Sequence, residues 1–349
     1  MIHSPFSGRS AQLNQALSYL QHPHLEIVET ISIADLDGLP SQGASWKIQG
    51  IDIAVAAGGD GLVGGVITHI IESDLVLGIL PLGTSNDIAR SIGIPQNLQL
   101  AAAAIAEGQI IRVDVGKAQP AEQTPHLASP EHHHPTPVSP QVSPQQHGFF
   151  AHTLTVGVNV EFARLATNIA LRQRYRNLTY PLAALEVLRK HSSLDLKMEF
   201  VGLTPVHGTQ PIKENPTLHA HVLLVAVINA PIFGGALQFA LPGARIDDHL
   251  LDIVVVEDID LESLKARLIR FFNRSEQLPI LPTSWHEHYP ELHPAELSGI
   301  PGIHHVRAHG VFITTNVDPQ DVTLDGEVRG QTPIYTRMAD TQLQVLVPR

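Results

Sequence analysis

Over the first third of the chain, short runs of aliphatic and β-branched residues alternate with stretches of helical periodicity. Ile51 to Ala57 is apolar at nearly every position, which predicts a strand buried on both faces. Behind it Leu62, Val63, Val66, Ile67, Ile70 and Ile71 recur at helical spacing and predict a helix starting near Leu62. Leu75 to Leu80 predicts a second buried strand, again followed by a polar turn and a helix. Around this pair the pattern predicts a helix over Ala11 to Leu20, a strand over Leu25 to Ile31 and a partly helical connector over Ile33 to Gly50. A helix over Leu98 to Glu107, stopped by Gly108, and a strand over Gln109 to Lys117 follow. Beyond residue 148 strands dominate, at Phe149 to Val160, Leu194 to Val201, His219 to Ile228, Val306 to Thr314, Asp321 to Leu324 and Gln342 to Val347. Helical patterns there are confined to Leu165 to Ile169, Tyr180 to Lys190 and Leu261 to Phe272. An α/β half followed by a mostly-β half implies two domains.

The chemistry gathers at the two polar turns. The first strand runs into Gly58-Gly59-Asp60-Gly61, and a strand entering a glycine turn and then a helix aims backbone N–H groups at one spot, which suits phosphate. Asp60 repels a phosphate unless a cation lies between them, so the turn reads as a place for a metal–nucleotide complex. The second strand runs into Pro81-Leu82-Gly83-Thr84-Ser85-Asn86-Asp87. Two consecutive strand–turn–helix units fit adjacent parallel strands whose carboxyl ends face one crevice.

These two segments resemble the signature of the diacylglycerol kinase catalytic family, in particular its soluble bacterial lipid kinases: a GGDGT turn, then PLGTxNDxARxxGIP. The second motif is essentially complete here; in the first, Leu62 stands where the family has Thr. The resemblance implies an N-terminal α/β nucleotide-binding domain with a parallel sheet like that of phosphofructokinase and NAD kinase. A mostly-β C-terminal sandwich domain follows, and the last strands are candidates to return to the first domain. The expected boundaries are 1–117, an insertion over 118–148, and 149–349.

The resemblance also implies site residues. Nucleotide contacts fall on Gly58, Gly59, Asp60, Gly61, Leu62, Val63 and Gly64, with Thr84, Asn86 and Asp87 from the second turn and Thr30 from a position near the nucleotide. Ser4-Pro5-Phe6-Ser7-Gly8 takes the place of the family's NPxSG turn, with Ser4 for Asn and three residues ahead of it. A central strand takes about five or six residues, so the expectation is a shortened first strand or a start placed too late. Leu324-Asp325-Gly326-Glu327 resembles the LDGE segment, which makes Glu327 the expected proton acceptor with Asp325 beside it. Pro242 to Asp252 resembles a structural magnesium segment, implying the Asp248 side chain and the Arg245 and Leu250 carbonyls as ligands, with His249 where the family has Gly. ATP and Mg2+ are the implied cofactors and a diacylglycerol-like lipid alcohol the implied substrate. Pro231, Ile232, Phe233, Leu237 and Phe239 are candidates for an acyl cleft.

Composition narrows the partners. The 349 residues carry 22 Lys and Arg against 34 Asp and Glu, a net charge of −12, which argues against nucleic acid and against purely electrostatic attachment to anionic membrane. There are no cysteines, so disulfide and thiolate chemistry are excluded. No apolar run reaches the roughly 20 residues of a membrane span, and the first residues lack a signal-peptide core. The expectation is a cytoplasmic protein in peripheral contact with membrane, with a second copy of the chain as a candidate partner. Gln119 to Gly148 holds seven of the chain's 26 prolines and the triplet His132-His133-His134, and reads as a disordered insertion. Two other readings stand beside the lipid kinase: an NAD kinase, since GGDG turns occur there too, and a decayed binding protein, because Leu62, Ser4 and His249 all depart from the family.

Overall fold

Parallel strands in the first half leave their glycine turns at one edge, and that edge organises the rest. The computed structural model describes residues 1–4, 12–121, 148–157, 193–204, 216–233, 239–241, 243–258, 291–292, 302–316 and 318–349. The first sheet takes Ile2–His3 (β1), Ile31–Ser32 (β2), Ile53–Gly58 (β3), Val76–Pro81 (β4) and Gln109–Val113 (β5). Its helices are Leu13–Tyr19 (α1), Gly43–Ile48 (α2), Asp60–Ile70 (α3), Asp87–Ser91 (α4) and Leu98–Glu107 (α5). The order is β2-β1-β3-β4, all parallel, continued by the last strand of the chain, Leu343–Val347 (β20), and then by β5 antiparallel to it. Strands β3 and β4 are buried at all but their first residue, as their unbroken apolar runs require.

The second sheet is antiparallel along nearly its whole path. It takes Gly116–Pro120 (β6), Gly148–Phe150 (β7), Thr153–Gly157 (β8), Leu194–Val201 (β9) and Thr217–Ile228 (β10). Ile232–Phe233 (β11) and Phe239–Ala240 (β12) pair apart from it, as a ribbon; Leu251–Glu257 (β13) and Glu291–Leu292 (β14) join β10. Ile303–Ala308 (β15), Gly310–Thr315 (β16), Asp321–Leu324 (β17), Glu327–Gln331 (β18) and Ile334–Met338 (β19) complete it. The path β18-β17-β8-β10-β9-β16-β19-β6-β7 curls around a core of Phe150, Phe200, Leu154, Leu196 and Met198. The fold is thus an α/β domain with a parallel sheet joined to a mostly-β sandwich domain.

Several elements differ from the sequence pattern, each for a local reason. The helix behind the glycine turn begins at Asp60, two residues before Leu62, because Gly59 is extended (φ −97, ψ −172) and the helical geometry starts directly after it. Residues 26–30 are not strand, and only Ile31–Ser32 pair, because β1 offers just two residues to pair with. The run Gln109 to Lys117 splits at Asp114-Val115 into β5 and β6, which belong to different sheets. Val306 to Thr314 likewise breaks at His309 into β15 and β16. The insertion lies almost wholly outside the described residues, as do the helical patterns at 165–169, 180–190 and 261–272; β6 and β7 pair antiparallel on either side of the insertion.

One buried group on α3 gives the fold a pH dependence. His69 is 8% exposed, and its Nδ1 has no hydrogen-bond partner among the described residues. Burial pushes its pKa below 6.5, against a smaller upward pull from a hydrogen bond to the Pro40 backbone. A depressed folded pKa means that the unfolded chain binds the proton more readily. The contribution is therefore complete above pH 6.5 and is lost as pH falls below it. The denaturant midpoint is expected to fall between pH 7 and pH 5, and His69→Gln to flatten part of that slope. A slope unaltered by the substitution would place the titrating group elsewhere.

Candidate active site

The two polar turns press against each other. A Cβ on Gly83 would stand 2.4 Å from the Gly59 Cα, so only glycine lets the backbones meet there. The Leu82 N–H donates to the Gly58 carbonyl at 3.0 Å, and Asp60 Oδ1 accepts from the Ile88 N–H at 2.9 Å. Asp60 therefore ties the start of α3 to the start of α4, rather than bonding its own turn. Asn86 sits at φ 53 in the left-handed region, which Asn tolerates better than most residues. Its buried side chain holds the turn closed: Oδ1 accepts from the Gly83 N–H at 2.9 Å, and Nδ2 donates to the Gly83 carbonyl at 3.1 Å and to Gln96 Oε1 at 2.9 Å. Asp87 is buried behind it, and Thr84 is exposed at the tip. Leu62 and Val63 point into the core, so whatever they give to a ligand comes from their backbone.

The far end of the chain returns to this place. A Cβ on Gly61 would stand 3.1 Å from Glu327 Oε1, and one on Gly64 would stand 2.6 Å from Asp325 Oδ2. Glycines at both positions of α3 let the turn between β17 and β18 lie directly on the helix. Asp325, itself at φ 48, accepts three backbone N–H groups: Ala151 on Oδ2, His152 and Thr153 on Oδ1, each at 2.9 Å. Burial raises its pKa above the ordinary carboxylate value, while the neighbouring His152 and the three donors pull it down. Glu327 is exposed, and its Oε2 is gripped by Arg329 through Nε at 3.0 Å and Nη2 at 2.5 Å. Oε1 is left on the Gly61 side.

A phosphate group fits this edge. The N-cap Gly59 makes no side-chain cap hydrogen bond, so no capping side chain takes up the first N–H groups of the 11-residue helix α3. Register places Ser4 level with Gly58, because His3 pairs with Ala57. Pro5, Phe6, Ser7 and Gly8 lie outside the described residues. Thr30 is not brought to the turn: it stands level with Met1 and Val55, three positions from Gly58 toward the amino end.

The acidic segment at Asp248 is held by other contacts. Asp248 Oδ1 accepts from the Leu250 N–H at 3.2 Å and Oδ2 from Arg307 Nη1 at 3.3 Å, while the Arg245 side chain is paired with Asp247. A guanidinium is thus paired with the carboxylate that the resemblance offers to magnesium. Among the described residues no three His, Asp or Glu side chains converge on a metal position. Desolvation raises the Asp248 pKa, with Arg307 opposing it. Excess chelator is therefore expected to leave the melting temperature unchanged. Arg307→Met is expected to lower stability by about 2 kcal/mol through the carboxylate left behind. A chelator-induced drop in melting temperature would contradict this.

One residue that the pattern did not single out ties the halves together. Asp114, 2% exposed, lies where the chain leaves the first sheet. Its Oδ2 accepts from the His249 N–H at 2.7 Å, and its Oδ1 accepts from Gln342 Nε2 at 2.9 Å, where the chain re-enters. His249 holds φ 58, and its ring Nδ1 is 3.1 Å from Asp114 Oδ1. The only signal in the sequence was an acid within a strand-like alternating run.

Comparison with known proteins gives a family match in each half of the chain. Residues 2–118 match the family model of the diacylglycerol kinase catalytic domain, and residues 152–276 that of the YegS C-terminal NAD kinase beta sandwich-like domain. A diacylglycerol kinase of Mycobacterium tuberculosis is 25% identical over 354 residues, covering 100% of this chain and 94% of that protein. Another, from Staphylococcus saprophyticus, is 22% identical over 353 residues with the same coverage, 100% and 94%. A crystal structure of a diacylglycerol kinase from Bacillus anthracis is alike in fold, with a TM-score of 0.57 at 19% identity over 99% of this chain and 94% of that one.

Proposed function

We propose that this chain, whose residues 2–118 match the diacylglycerol kinase catalytic domain, is a lipid kinase of that family and transfers the terminal phosphoryl group of ATP to the hydroxyl of diacylglycerol or a related lipid alcohol. Relatives named diacylglycerol kinase along the whole chain support a phosphotransferase; the donor, the acceptor and the roles below are our reading. The observation that carries it is the approach of Glu327 to Gly61, an exposed carboxylate laid against the first turn of the helix behind the glycine turn.

Phosphates on the uncapped start of α3 are stabilised by its first N–H groups and by the helix dipole. Gly59 and Gly83 keep side chains out of their way. Glu327 accepts the proton of the attacking hydroxyl. Arg329 holds Oε2, so that Oε1 faces the acceptor. Asp325 stays out of the chemistry: it spends both oxygens on residues 151–153 and so fixes the turn that presents Glu327. Asp60 anchors the second turn with one oxygen and keeps the other for the metal–phosphate. Magnesium, when bound with the triphosphate, would neutralise phosphate charge and polarise the terminal phosphoryl group.

The acceptor approaches past β11, where Ser91 of α4 is tied to Ile232 and His152 Nε2 meets the Ile232 carbonyl at 3.0 Å. Pro231 and Ile232 stand there half-buried; the Phe233 and Phe239 side chains and Leu237 lie outside the described residues. No described helix is long and apolar enough to cross a membrane. The test is a competition between acceptors, in which the chain, ATP and magnesium meet diacylglycerol, other lipid alcohols and NAD together. A lipid monophosphate is the expected product. Phosphorylated NAD without lipid phosphate would favour an NAD kinase.

A further inference from the structure

The ribbon β11–β12 belongs to neither large sheet, and each of its strands is two residues long. A two-stranded ribbon of that length does not hold itself in water, so its place is set by what grips it. The pairing decides which groups can be gripped. The Leu241 N–H donates to the Pro231 carbonyl at 2.9 Å, so Ile232 and Ala240 form a pair whose own N–H and C=O groups turn outward. Side chains take both outward groups of Ile232. Its N–H donates to Ser91 Oγ at 3.0 Å; its carbonyl accepts from His152 Nε2 at 3.0 Å and, more weakly, from Ser91 Oγ at 3.4 Å. A carbonyl only accepts, so His152 carries a proton on Nε2.

The two side chains come from different domains. Ser91 is the last residue of α4, and Asn86 at the other end of that helix closes the second polar turn. His152 lies between β7 and β8 and is 9% exposed. Its own N–H donates to Asp325 Oδ1, and its carbonyl accepts from the Asn229 N–H at 2.8 Å, just past the end of β10. His152 thus stands between the ribbon and the turn that presents Glu327, and Ser91 between the ribbon and the second polar turn. Ile232 is fixed relative to the proton acceptor on one side and the phosphate-binding edge on the other.

We propose that His152 and Ser91 form a clasp on Ile232, holding the ribbon as the wall that positions the apolar part of the acceptor. This role rests on the lipid kinase reading. His152 is a positioning residue: its ring meets the ribbon and not the reacting atoms. The two side chains act as one unit, because the release of either frees a ribbon too short to keep its own place.

The test compares Ser91→Ala, His152→Phe, His152→Gln and the Ser91→Ala/His152→Phe double variant in the full chain, with ATP, magnesium and diacylglycerol in mixed micelles. Amide hydrogen exchange at Ile232 is followed on the same proteins. Ser91→Ala and His152→Phe are each expected to raise the KM for lipid about tenfold, with a smaller change in kcat and an unaltered KM for ATP. The double variant should stay near the single ones, well below the product of the two effects. His152→Gln, whose Nε2 can donate from nearly the same place, should recover most of the loss. The Ile232 amide should exchange faster in the Ser91→Ala chain, which keeps the test readable if His152→Phe does not fold. Faster exchange with an unchanged KM for lipid, effects that multiply in the double variant, or an equal rise in the KM for ATP would overturn the proposal and leave the kinase reading standing. No lipid product from the original chain would defeat that reading, and the acceptor role with it, even where exchange at Ile232 behaves as expected.

Discussion

Glu327→Gln is expected to slow the phosphoryl-transfer step by about 10²- to 10⁴-fold, the range for losing a general base. The amide keeps the size of the side chain and still offers Arg329 an oxygen, so the turn on Gly61 should survive. The KM for the nucleotide should change little, because the glycine turn and the start of α3 supply most phosphate contacts. Single-turnover kinetics on a variant with an unaltered melting temperature separate the chemical step from binding. A folded Glu327→Gln that turns over at the original rate would remove Glu327 from the reaction.

Asp325→Ala is expected to act through the fold, and strongly. The carboxylate satisfies three backbone N–H groups of residues 151–153, and a methyl group satisfies none. Leaving those donors unpaired, with alanine at φ 48, costs about 3–5 kcal/mol. Activity should fall along with the denaturant midpoint, since the displaced turn no longer presents Glu327. Asp325→Asn, which keeps one acceptor oxygen, should fall between the two in both measurements. If Asp325→Ala kept full stability and lost activity alone, the carboxylate would act directly in the reaction.

The contrast between these neighbouring acids shows what the sequence could and could not reveal. Both stand in one LDGE segment, which the structure lays against the helix behind a glycine turn about 270 residues earlier (Gly61 to Glu327). Their division of labour depends on which backbone groups surround each oxygen, and no pattern of types along a chain encodes that. The turn motifs were legible because glycine and asparagine are selected there by backbone geometry: Gly83 by a close approach, Asn86 by a left-handed conformation. Helix α5 was legible to the residue, since its apolar face and Gly108 mark its body and its end. Asp114, Arg307 and Arg329 were not, because each owes its place to partners distant in sequence or to a side-chain geometry that spacing does not fix. The strand expected at residues 25–31 shows a further limit. Its composition is right, but a strand also needs a neighbour, and β1 pairs with it only at Ile31–Ser32.

The central claim is that two distant segments form one site that phosphorylates a lipid hydroxyl. It is tested most directly by incubating the purified chain with ATP, magnesium and diacylglycerol in mixed micelles, with nucleotide consumption and lipid product followed together by mass spectrometry. The account predicts one phosphorylated lipid for each ATP consumed, and a folded Glu327→Gln protein that forms it about 10²-fold or more slowly. ATP consumption without phosphorylated lipid, or equal product from the two proteins, would contradict it.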